Sequence, residues 1–234
     1  MMNKLLTTGL LSSVLLTGCT EEGELLLTDS GSSANAGIVA YDHFSLTAAT
    51  TQVNAIDTDG VFTRTEVEFT VRVGDRNNNL LTDTHVVFFA TEFGLIEPSC
   101  STTDGSGTCT VTWQIIRRPG TGEAGADGEI DITAYTLGEE SFFDTNNNGV
   151  FDDNETLADL VDLREPFIDA DGDRTFSAGD ILIEVADNAY PAGVDGNNNA
   201  GDNLFNGAGC TSSTLCSPTT SIYVFDQVTL DITE

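Results

Sequence analysis

The strongest constraint on the fold of this chain is an alternation of apolar and polar side chains with a period of two residues. It is clearest in residues 61–73, where one face would carry Val67, Phe69, Val71 and Val73 and the other Glu66, Glu68, Thr70 and Arg72. Successive side chains of a β-strand point to opposite faces, so the pattern predicts a half-buried strand. Further strands are predicted at residues 85–90, 108–116, 129–137 and 221–232. Because helical periodicity is almost absent, we predict an all-β chain, and the short strands favour a β-sandwich.

The order of motifs across residues 37–137 narrows this prediction. A strand at 67–73 is followed by an Asp/Asn turn at 74–79 and a strand at 86–89; then come Gly94-Leu95-Ile96-Glu97-Pro98, Thr103-Asp104-Gly105-Ser106-Gly107 and a strand at 108–111. This order resembles the bacterial group 1 immunoglobulin-like domains of the invasin and intimin type. The resemblance implies an immunoglobulin-like β-sandwich over residues 37–137. Trp113, on the apolar face of its strand, is expected in the core.

A sandwich of this kind needs a closing strand after the one at residues 129–137, and none follows directly. The next alternating segment has one face formed by Ile222, Val224, Asp226, Val228, Leu230 and Ile232. We therefore predict that residues 138–218 are an insertion and that residues 219–234 supply the closing strand. A separate C-terminal domain is the alternative, although one strand and several loops would provide little core.

The predicted insertion contains a complete calcium-loop pattern. Side-chain oxygens fall at loop positions 1, 3, 5, 9 and 12, and position 7 would contribute its backbone carbonyl; the residues are Asp144, Asn146, Asn148, Asp152 and Glu155, with Val150 at position 7. Gly149 occupies position 6, where the chain must turn. Calcium takes six to eight oxygen ligands, and a tightly wound loop delivers them from alternate residues. The pattern predicts a calcium site; an ordinary Asn/Asp/Gly turn in an acidic surface loop is the alternative.

A second segment repeats the pattern with Asp169, Asp171, Asp173, Thr175 through its carbonyl, Ser177 and Asp180. Arg174 replaces the glycine and Asp180 is shorter than a glutamate, so weaker binding or an added water is expected. An internal repeat supports both sites. Phe151 and Phe176 both occupy position 8 and are predicted to pack the two loops together. A third segment, with Asp195, Asn197 and Asn199 and with Asp202 and Asn203 nearby, fits the register poorly and is equally well an Asn/Gly loop.

These loops resemble the calcium loops of EF-hands and dockerin modules, but their flanks depart from a helix–loop–helix unit. Residues 155–164 are predicted to form a short exiting helix, on the spacing of Leu157, Leu160, Val161 and Leu163. After the second loop, Ile181, Ile183 and Val185 alternate like a strand. The resemblance therefore implies calcium as the ligand, without the opening of paired helices.

Charge narrows the possible functions. Eight basic residues stand against 38 acidic ones, which gives a formal net charge of −30, and Lys4 is the only lysine. Nucleic-acid binding is not expected, because it requires a basic face. Carboxylates at this density repel one another in a compact state, and bound calcium would relieve the repulsion. A surface suited to a saline exterior is a compatible interpretation.

The N-terminal residues have the pattern of an export signal. A positively charged start that ends at Lys4 precedes an apolar run at residues 5–16, which is too short for a stop-transfer helix. The run ends in Leu16-Thr17-Gly18-Cys19, which resembles the lipobox of bacterial lipoproteins. The resemblance implies cleavage of residues 1–18 and lipidation of Cys19, which would anchor the chain to a membrane. A plain signal peptide with an incidental cysteine is the alternative.

The polar residues 19–36 are predicted to be a flexible tether. Thr20 after the lipidated cysteine favours sorting to the outer membrane, and surface exposure stays open. The remaining cysteines fall into two close pairs, Cys100 with Cys109 and Cys210 with Cys216. An exported, oxidising setting favours disulfides. Of the three possible connectivities the local one costs least chain closure, and the first pair is interpreted as a staple on a hairpin. Zinc binding is disfavoured, because neither pair has the two-residue spacing of zinc ligands.

No catalytic constellation is recognisable, so no enzymatic activity is expected. The two histidines, His43 and His85, are interpreted as ordinary polar residues of strands. The leading hypothesis is a lipid-anchored, non-enzymatic cell-envelope protein whose calcium-stabilised immunoglobulin-like module serves adhesion or cell-surface architecture, with a protein or glycan as its ligand. The alternative is a calcium-dependent carbohydrate-binding or enzyme-associated module that uses aromatic residues such as Tyr190 and Phe205.

Overall fold

The computed structural model describes residues 37–56, 59, 61–103, 105–183, 185 and 201–233. Several predicted features lie outside these residues: the signal peptide and tether at 1–36 with Cys19, the segment with Asp195, Asn197 and Asn199, and Tyr190. The described part of the chain contains β-strands and one 3-10 turn, Tyr41–His43, but no α-helix. The prediction of an all-β chain is confirmed.

The strands, in chain order, are β1 Phe44–Ala48, β2 Gln52–Asn54, β3 Thr65–Val73, β4 Val86–Thr91, β5 Leu95–Ile96, β6 Ser99–Ser101, β7 Thr108–Ile115, β8 Glu129–Gly138, β9 Phe167–Ile168, β10 Ile181–Leu182 and β11 Ile222–Thr233. One sheet has the order β1-β3-β7-β5 and the other β2-β11-β8-β4-β6, while β9 and β10 form a separate hairpin-like pair. A single hydrophobic cluster takes residues from both large sheets, as in a β-sandwich.

Trp113 on β7 is at the centre of this core. Its side chain is fully buried, and its indole Nε1 donates to the carbonyl of Phe93 at 2.9 Å. Gly94 passes directly over the ring with a φ of 90°, and a Cβ at this position would lie 2.6 Å from the indole nitrogen. The glycine is therefore required both by its left-handed backbone and by the close approach of the tryptophan.

β11 pairs antiparallel with β8 along ten residues, from Ile222 opposite Gly138 to Asp231 opposite Glu129. Residues 139–221 therefore form a long excursion that leaves one strand and returns to its neighbour in the same sheet. The excursion contains both predicted calcium loops.

The excursion covers part of the outer face of β8. Asp131 and Thr133, which the alternation places on the polar face, are buried. Thr133 Oγ1 donates to the carbonyl of Phe167 at 2.7 Å, and Gln227 Nε2 donates to the same carbonyl at 2.7 Å. The strand alternates as predicted, but its outward side chains meet protein instead of solvent.

The predicted helix at residues 155–164 is wrong. This segment runs beside residues 141–143 instead: Phe143 N donates to Asp159 O at 2.8 Å, and Val161 N donates to Ser141 O at 2.9 Å. These pairings use backbone groups that a helix would have bonded internally. Leu163 packs in the core, whereas Leu157 and Val161 are exposed.

Both predicted disulfides are present, Cys100–Cys109 and Cys210–Cys216. The first is not a hairpin staple, because β6 and β7 belong to different sheets and the bond therefore joins the two layers. Closing its separation of nine residues restricts the unfolded chain, which corresponds to about 2–3 kcal/mol. Two disulfides indicate an extracellular or otherwise oxidising environment. None of the described helical segments is long and apolar enough to cross a membrane.

Candidate metal centres

Loop 1, residues 144–155, is wound by its own ligand side chains. The position-1 carboxylate of Asp144 accepts the amide of Gly149 at 2.7 Å. The position-12 carboxylate of Glu155 accepts the amides of Thr145 at 3.1 Å and of Asp152 at 3.0 Å. Glu155 is only 2% exposed. The first and last ligands therefore close the loop on itself and direct their carboxylates inward.

Two asparagines hold the carboxylate of Asp152, the predicted ligand at position 9 of loop 1, close to the same centre. Asn146 Nδ2 and Asn148 Nδ2 donate to Asp152 Oδ2 at 3.3 and 2.8 Å. A hydrogen bond from the Asn154 amide, with those from the two asparagines, lowers the pKa of Asp152. The carboxylate at position 9 is thus held in its charged form, which is the form that binds a cation.

Loop 2, residues 169–180, repeats this arrangement. The amide of Arg174 donates to Asp169 Oδ2 at 2.6 Å, as the amide of Gly149 does to Asp144. Ala170 N donates to Asp180 Oδ1 at 2.9 Å and Ser177 N donates to Asp180 Oδ2. Asp180 therefore makes the same two contacts as Glu155, although its side chain is one methylene shorter.

The backbones of the two loops match as well. In both loops, positions 4 and 6 have left-handed conformations: φ is 57° at Asn147 and 72° at Gly149, and 71° at Gly172 and 60° at Arg174. In both, the side chain at position 3 accepts the amide at position 5, and the side chain at position 5 accepts the amide at position 7. Sequences that differ at most positions have thus reached one loop conformation, which identifies them as structural repeats.

The predicted ligands of loop 2 converge. Asp169, Asp171 and Asp173 place one carboxylate oxygen each within 4.8 Å of the others. Asp169 is 2% exposed, and its Oδ1 is buried with no hydrogen-bond partner. A buried carboxylate oxygen without a partner is costly, and a coordinated cation would remove that cost. Ser177 Oγ also donates to Asp171 Oδ2 at 3.3 Å, which brings position 9 to the same centre.

Further acids lie beneath loop 2, and sequence reasoning did not identify them. The Asp169 amide donates to Asp131 Oδ2 at 3.3 Å, and the Asp131 amide donates to Glu92 Oε1 at 3.0 Å. Burial raises the pKa of Asp131 to about 7 and that of Glu92 to about 7, and the Asp169 charge adds to both shifts. Loop 2 therefore rests on carboxyl groups that resist ionisation. A cation bound in loop 2 would offset their negative charge and stabilise the contact between loop 2 and Asp131.

The prediction that Phe151 and Phe176 pack the two loops together is wrong. Phe151 stacks on Phe205 with ring centroids 4.9 Å apart and meets Phe142 edge-on at 5.2 Å, whereas Phe176 meets Phe167 edge-on at 5.5 Å. Position 8 of loop 1 also forms a bridge with Cys210 rather than with the other loop. Each loop therefore has its own aromatic support, because each is attached to a different part of the excursion.

Loop 1 is attached to the sandwich through Arg76, which sequence reasoning also missed. Arg76 Nη2 lies 2.6 Å from Oε2 of the fully buried Glu139, and Nη1 donates to the carbonyl of Gly149 in loop 1 at 3.1 Å. Its guanidinium also lies over the rings of Phe142 and Phe205, at 5.3 and 5.4 Å. The only signal in the sequence was the rarity of basic residues in so acidic a chain.

The neighbouring Glu140 is buried too. Its two oxygens accept the amides of Leu163 at 2.7 Å and Asn206 at 2.8 Å. Burial raises its pKa to about 8. Glu140 therefore joins two distant parts of the excursion, on either side of the segment that lies outside the described residues.

Other predicted positions do not form a site. Phe205 is fully buried between Phe151 and Phe142, so the glycan contact expected of it is wrong. Of the third calcium segment the structure describes Asn203, whose amide donates to Asp162, and Asp202, whose carboxylate accepts the amide of Leu204. His43 lies 3.7 Å from the Asp42 carboxylate, and burial lowers the pKa of His85.

Comparisons of this chain with protein-family models, with curated proteins and with solved structures find no match. Loops 1 and 2 therefore carry the evidence for the function of this chain.

Proposed function

We propose that this protein is a calcium-stabilised, immunoglobulin-like module of the cell envelope, anchored by a lipid on Cys19, which acts without enzymatic activity in adhesion or cell-surface architecture. The observation that carries the proposal is the agreement of the two loops in backbone conformation and in their internal hydrogen bonds. Two different sequences are expected to keep one such conformation when both serve the same ligand.

The donor set favours calcium among the common metals. Every predicted ligand is an oxygen of a carboxylate, amide, hydroxyl or backbone carbonyl, and neither loop offers histidine or cysteine. Hard cations prefer oxygen, whereas zinc and copper favour nitrogen and sulfur. Loops with six candidate ligands suit the larger, flexible coordination shell of calcium better than the strict octahedron of magnesium.

Calcium would act by fixing the excursion. Loop 1 is joined to the sandwich through Arg76 and to residues 210–211 through the carbonyl of Phe151, which accepts the Thr211 amide at 2.8 Å. Loop 2 rests on β8 through Asp131. A cation in each loop would order the segment that supplies its ligands and transmit that order to these contacts. The result would be a defined acidic surface presented by a rigid sandwich.

Isothermal calorimetry with calcium chloride on the full chain tests the metal sites. We expect binding with a Kd on the order of 10⁻⁴ to 10⁻³ M, as in extracellular calcium modules, and weaker heats with magnesium. Asp144→Asn should weaken one site and Asp169→Asn the other, whereas Asp127→Asn, outside both loops, should change neither. Absence of any binding heat at millimolar calcium would overturn the proposal.

The anchor and the location need a separate experiment. Cells that express the full chain would be labelled with a radioactive fatty acid, with Cys19→Ala as the control. Label that depends on Cys19 supports lipidation, and antibody binding to intact cells would show surface exposure. If the wild-type chain takes up no label, the proposed lipid anchor is wrong, whereas the proposed calcium sites are not affected by that result.

A further inference from the structure

Arg174 is the residue of loop 2 that departs from the calcium-loop pattern. It occupies position 6, where loop 1 has Gly149, and it adopts the same left-handed backbone, with a φ of 60°. A long side chain in this conformation is strained, and glycine would avoid the strain. Strained non-glycine residues are retained where the surrounding structure uses them. We therefore expect the Arg174 side chain to have a role that a glycine at position 6 could not fill.

Arg174 lines a cleft of about 270 Å³ that lies between loop 2, residues 161–164 of the excursion and β11. Tyr41, Asp162, Arg164, Phe225 and Asp226 line the same cleft. Two of the eight basic residues of this acidic chain thus meet in one place. Arg174 also acts electrostatically on Tyr41. Burial and the charge of Asp226 raise the pKa of Tyr41, and the charge of Arg174 reduces this increase.

Backbone amides hold the two acids of the cleft. Asp226 Oδ2 accepts the Leu46 amide at 2.9 Å, and both oxygens of Asp162 accept the Asn203 amide at 3.1 Å. Neither acid forms an ion pair with Arg174 in the described part of the chain. The guanidinium is therefore available to a ligand, and guanidinium groups suit carboxylates because two N–H groups can bind both oxygens.

The other groups of the cleft define the rest of the ligand. The hydroxyl of Tyr41 and the carboxylates of Asp162 and Asp226 can pair with hydroxyl groups, and the ring of the partly exposed Phe225 offers a flat apolar surface. The volume of about 270 Å³ lies just below the roughly 300–1,000 Å³ of sites for drug-sized ligands, so one ring fits. We propose that this cleft binds a uronic acid residue of a saccharide, with Arg174 pairing with its carboxylate.

Calcium would control this site. The amide of Arg174 donates to Asp169 Oδ2 at 2.6 Å, so the backbone of Arg174 is fixed by the position-1 ligand of loop 2. A cation in the loop would also offset the charge of Asp171 and Asp173, which would otherwise repel an anion. This dependence rests on the proposed calcium function, whereas the cleft itself does not.

An NMR titration of the ¹⁵N-labelled full chain with sodium glucuronate, in millimolar calcium, tests the proposal. We expect shifts concentrated at the Arg174 side chain and at β11, and no comparable shifts with glucose, which has the same ring without the carboxylate. Arg174→Gln should weaken glucuronate binding at least tenfold, and Arg118→Gln, outside the cleft, should not change it. Equal binding of glucose, undiminished binding by Arg174→Gln, or no binding of glucuronate would each overturn the proposal.

Arg174→Gly separates this proposal from the calcium sites. The substitution removes the guanidinium and restores the residue that loop 1 has at position 6, so calcium binding should be retained while glucuronate binding is lost. If Arg174→Gly retains both, the uronic acid site is wrong and the calcium function stands. A third outcome is that neither the wild type nor Arg174→Gly binds calcium, while the wild type still prefers glucuronate to glucose and Arg174→Gln still weakens glucuronate binding. In that case the calcium function is wrong and the uronic acid site stands.

Discussion

Glu155 closes loop 1 from position 12, and its carboxylate meets two backbone amides in a buried place. Glu155→Gln keeps the volume but removes a charge and turns an amide N–H₂ toward one of those donors, which costs about 1–3 kcal/mol. We expect calorimetry to show that one of the calcium-binding events of the full chain is lost. Asp180→Asn, at the matching position of loop 2, should remove the other event. A Glu155→Gln protein that binds calcium at both sites would contradict the assignment of position 12.

Glu92 predicts how stability depends on pH. Burial raises its pKa from 4.5 in the unfolded chain to about 7. The folded state therefore binds a proton that the unfolded state releases, so this contribution to stability is complete below about pH 4.5 and is lost as pH rises toward 7.

Glu92→Gln keeps the acceptor for the Asp131 amide and removes the charge. In a calcium-free buffer, the variant should be more stable than wild type at pH 8 by about 1–2 kcal/mol, after allowance for the partial exposure of the side chain. At pH 4 the two proteins should differ little. Urea unfolding at both pH values measures this, with Glu68→Gln on the exposed face of β3 as the matched substitution. A variant that is less stable at pH 8 would show that Glu92 is paired rather than repelled.

The residues of the loops could be predicted because a calcium loop is a local pattern of fixed spacing. Burial of Glu139 and Glu140 could not, since their partners Arg76 and Asn206 are 63 and 66 residues away. In a chain so rich in acids, no individual acid stands out, and only the fold shows which ones lose contact with water.

Among the strands, the same distinction between local and distant causes applies. The alternation predicted β3, β7, β8 and β11 to within a few residues, because alternation is a property of the strand itself. β2 was not predicted, since it has three residues and its partner is the distant end of β11. The helix expected at residues 155–164 failed for a related reason, because the backbone pairs with residues 141–143 instead.

The β3–β4 connection and the start of the excursion are joined by the buried pair of Arg76 and Glu139, whose side chains are 10% and 0% exposed. Removing one partner leaves the other charge buried without its counterion, and Arg76→Met should therefore destabilise the protein by about 3–5 kcal/mol. Urea unfolding measures the change, and Arg72→Met on the exposed face of β3 should cost less than about 0.5 kcal/mol.

A second substitution tests the mechanism of this loss. When Glu139→Leu is combined with Arg76→Met, no buried charge is left unpaired, so much of the stability should return. If the double variant is as unstable as the sum of the two single variants, the contacts of Arg76 with Phe142 and Phe205 contribute more than the ion pair.

At the scale of the whole molecule, an excursion of residues 139–221 leaves and rejoins one sheet and contains two acidic loops. The net charge of −30 opposes compaction, and the two disulfides restrain only the edge of the sandwich and a short part of the excursion. Specific cation binding and general screening by salt would both reduce the repulsion. They differ in how much cation they need.

This difference gives a prediction for thermal unfolding. At 10 mM calcium and a Kd of about 10⁻⁴ to 10⁻³ M, each site should add roughly 1.4–2.7 kcal/mol. For a domain of this size that corresponds to an increase in Tm of about 3–10 °C per site. Sodium chloride at the same ionic strength should raise Tm by much less, because it only screens charges, and magnesium should lie between the two. The variant with both Asp144→Asn and Asp169→Asn should respond to calcium as wild type responds to sodium. If calcium and sodium raise Tm equally at matched ionic strength, the loops do not bind calcium specifically, and the salts stabilise the protein only by screening its acidic charges.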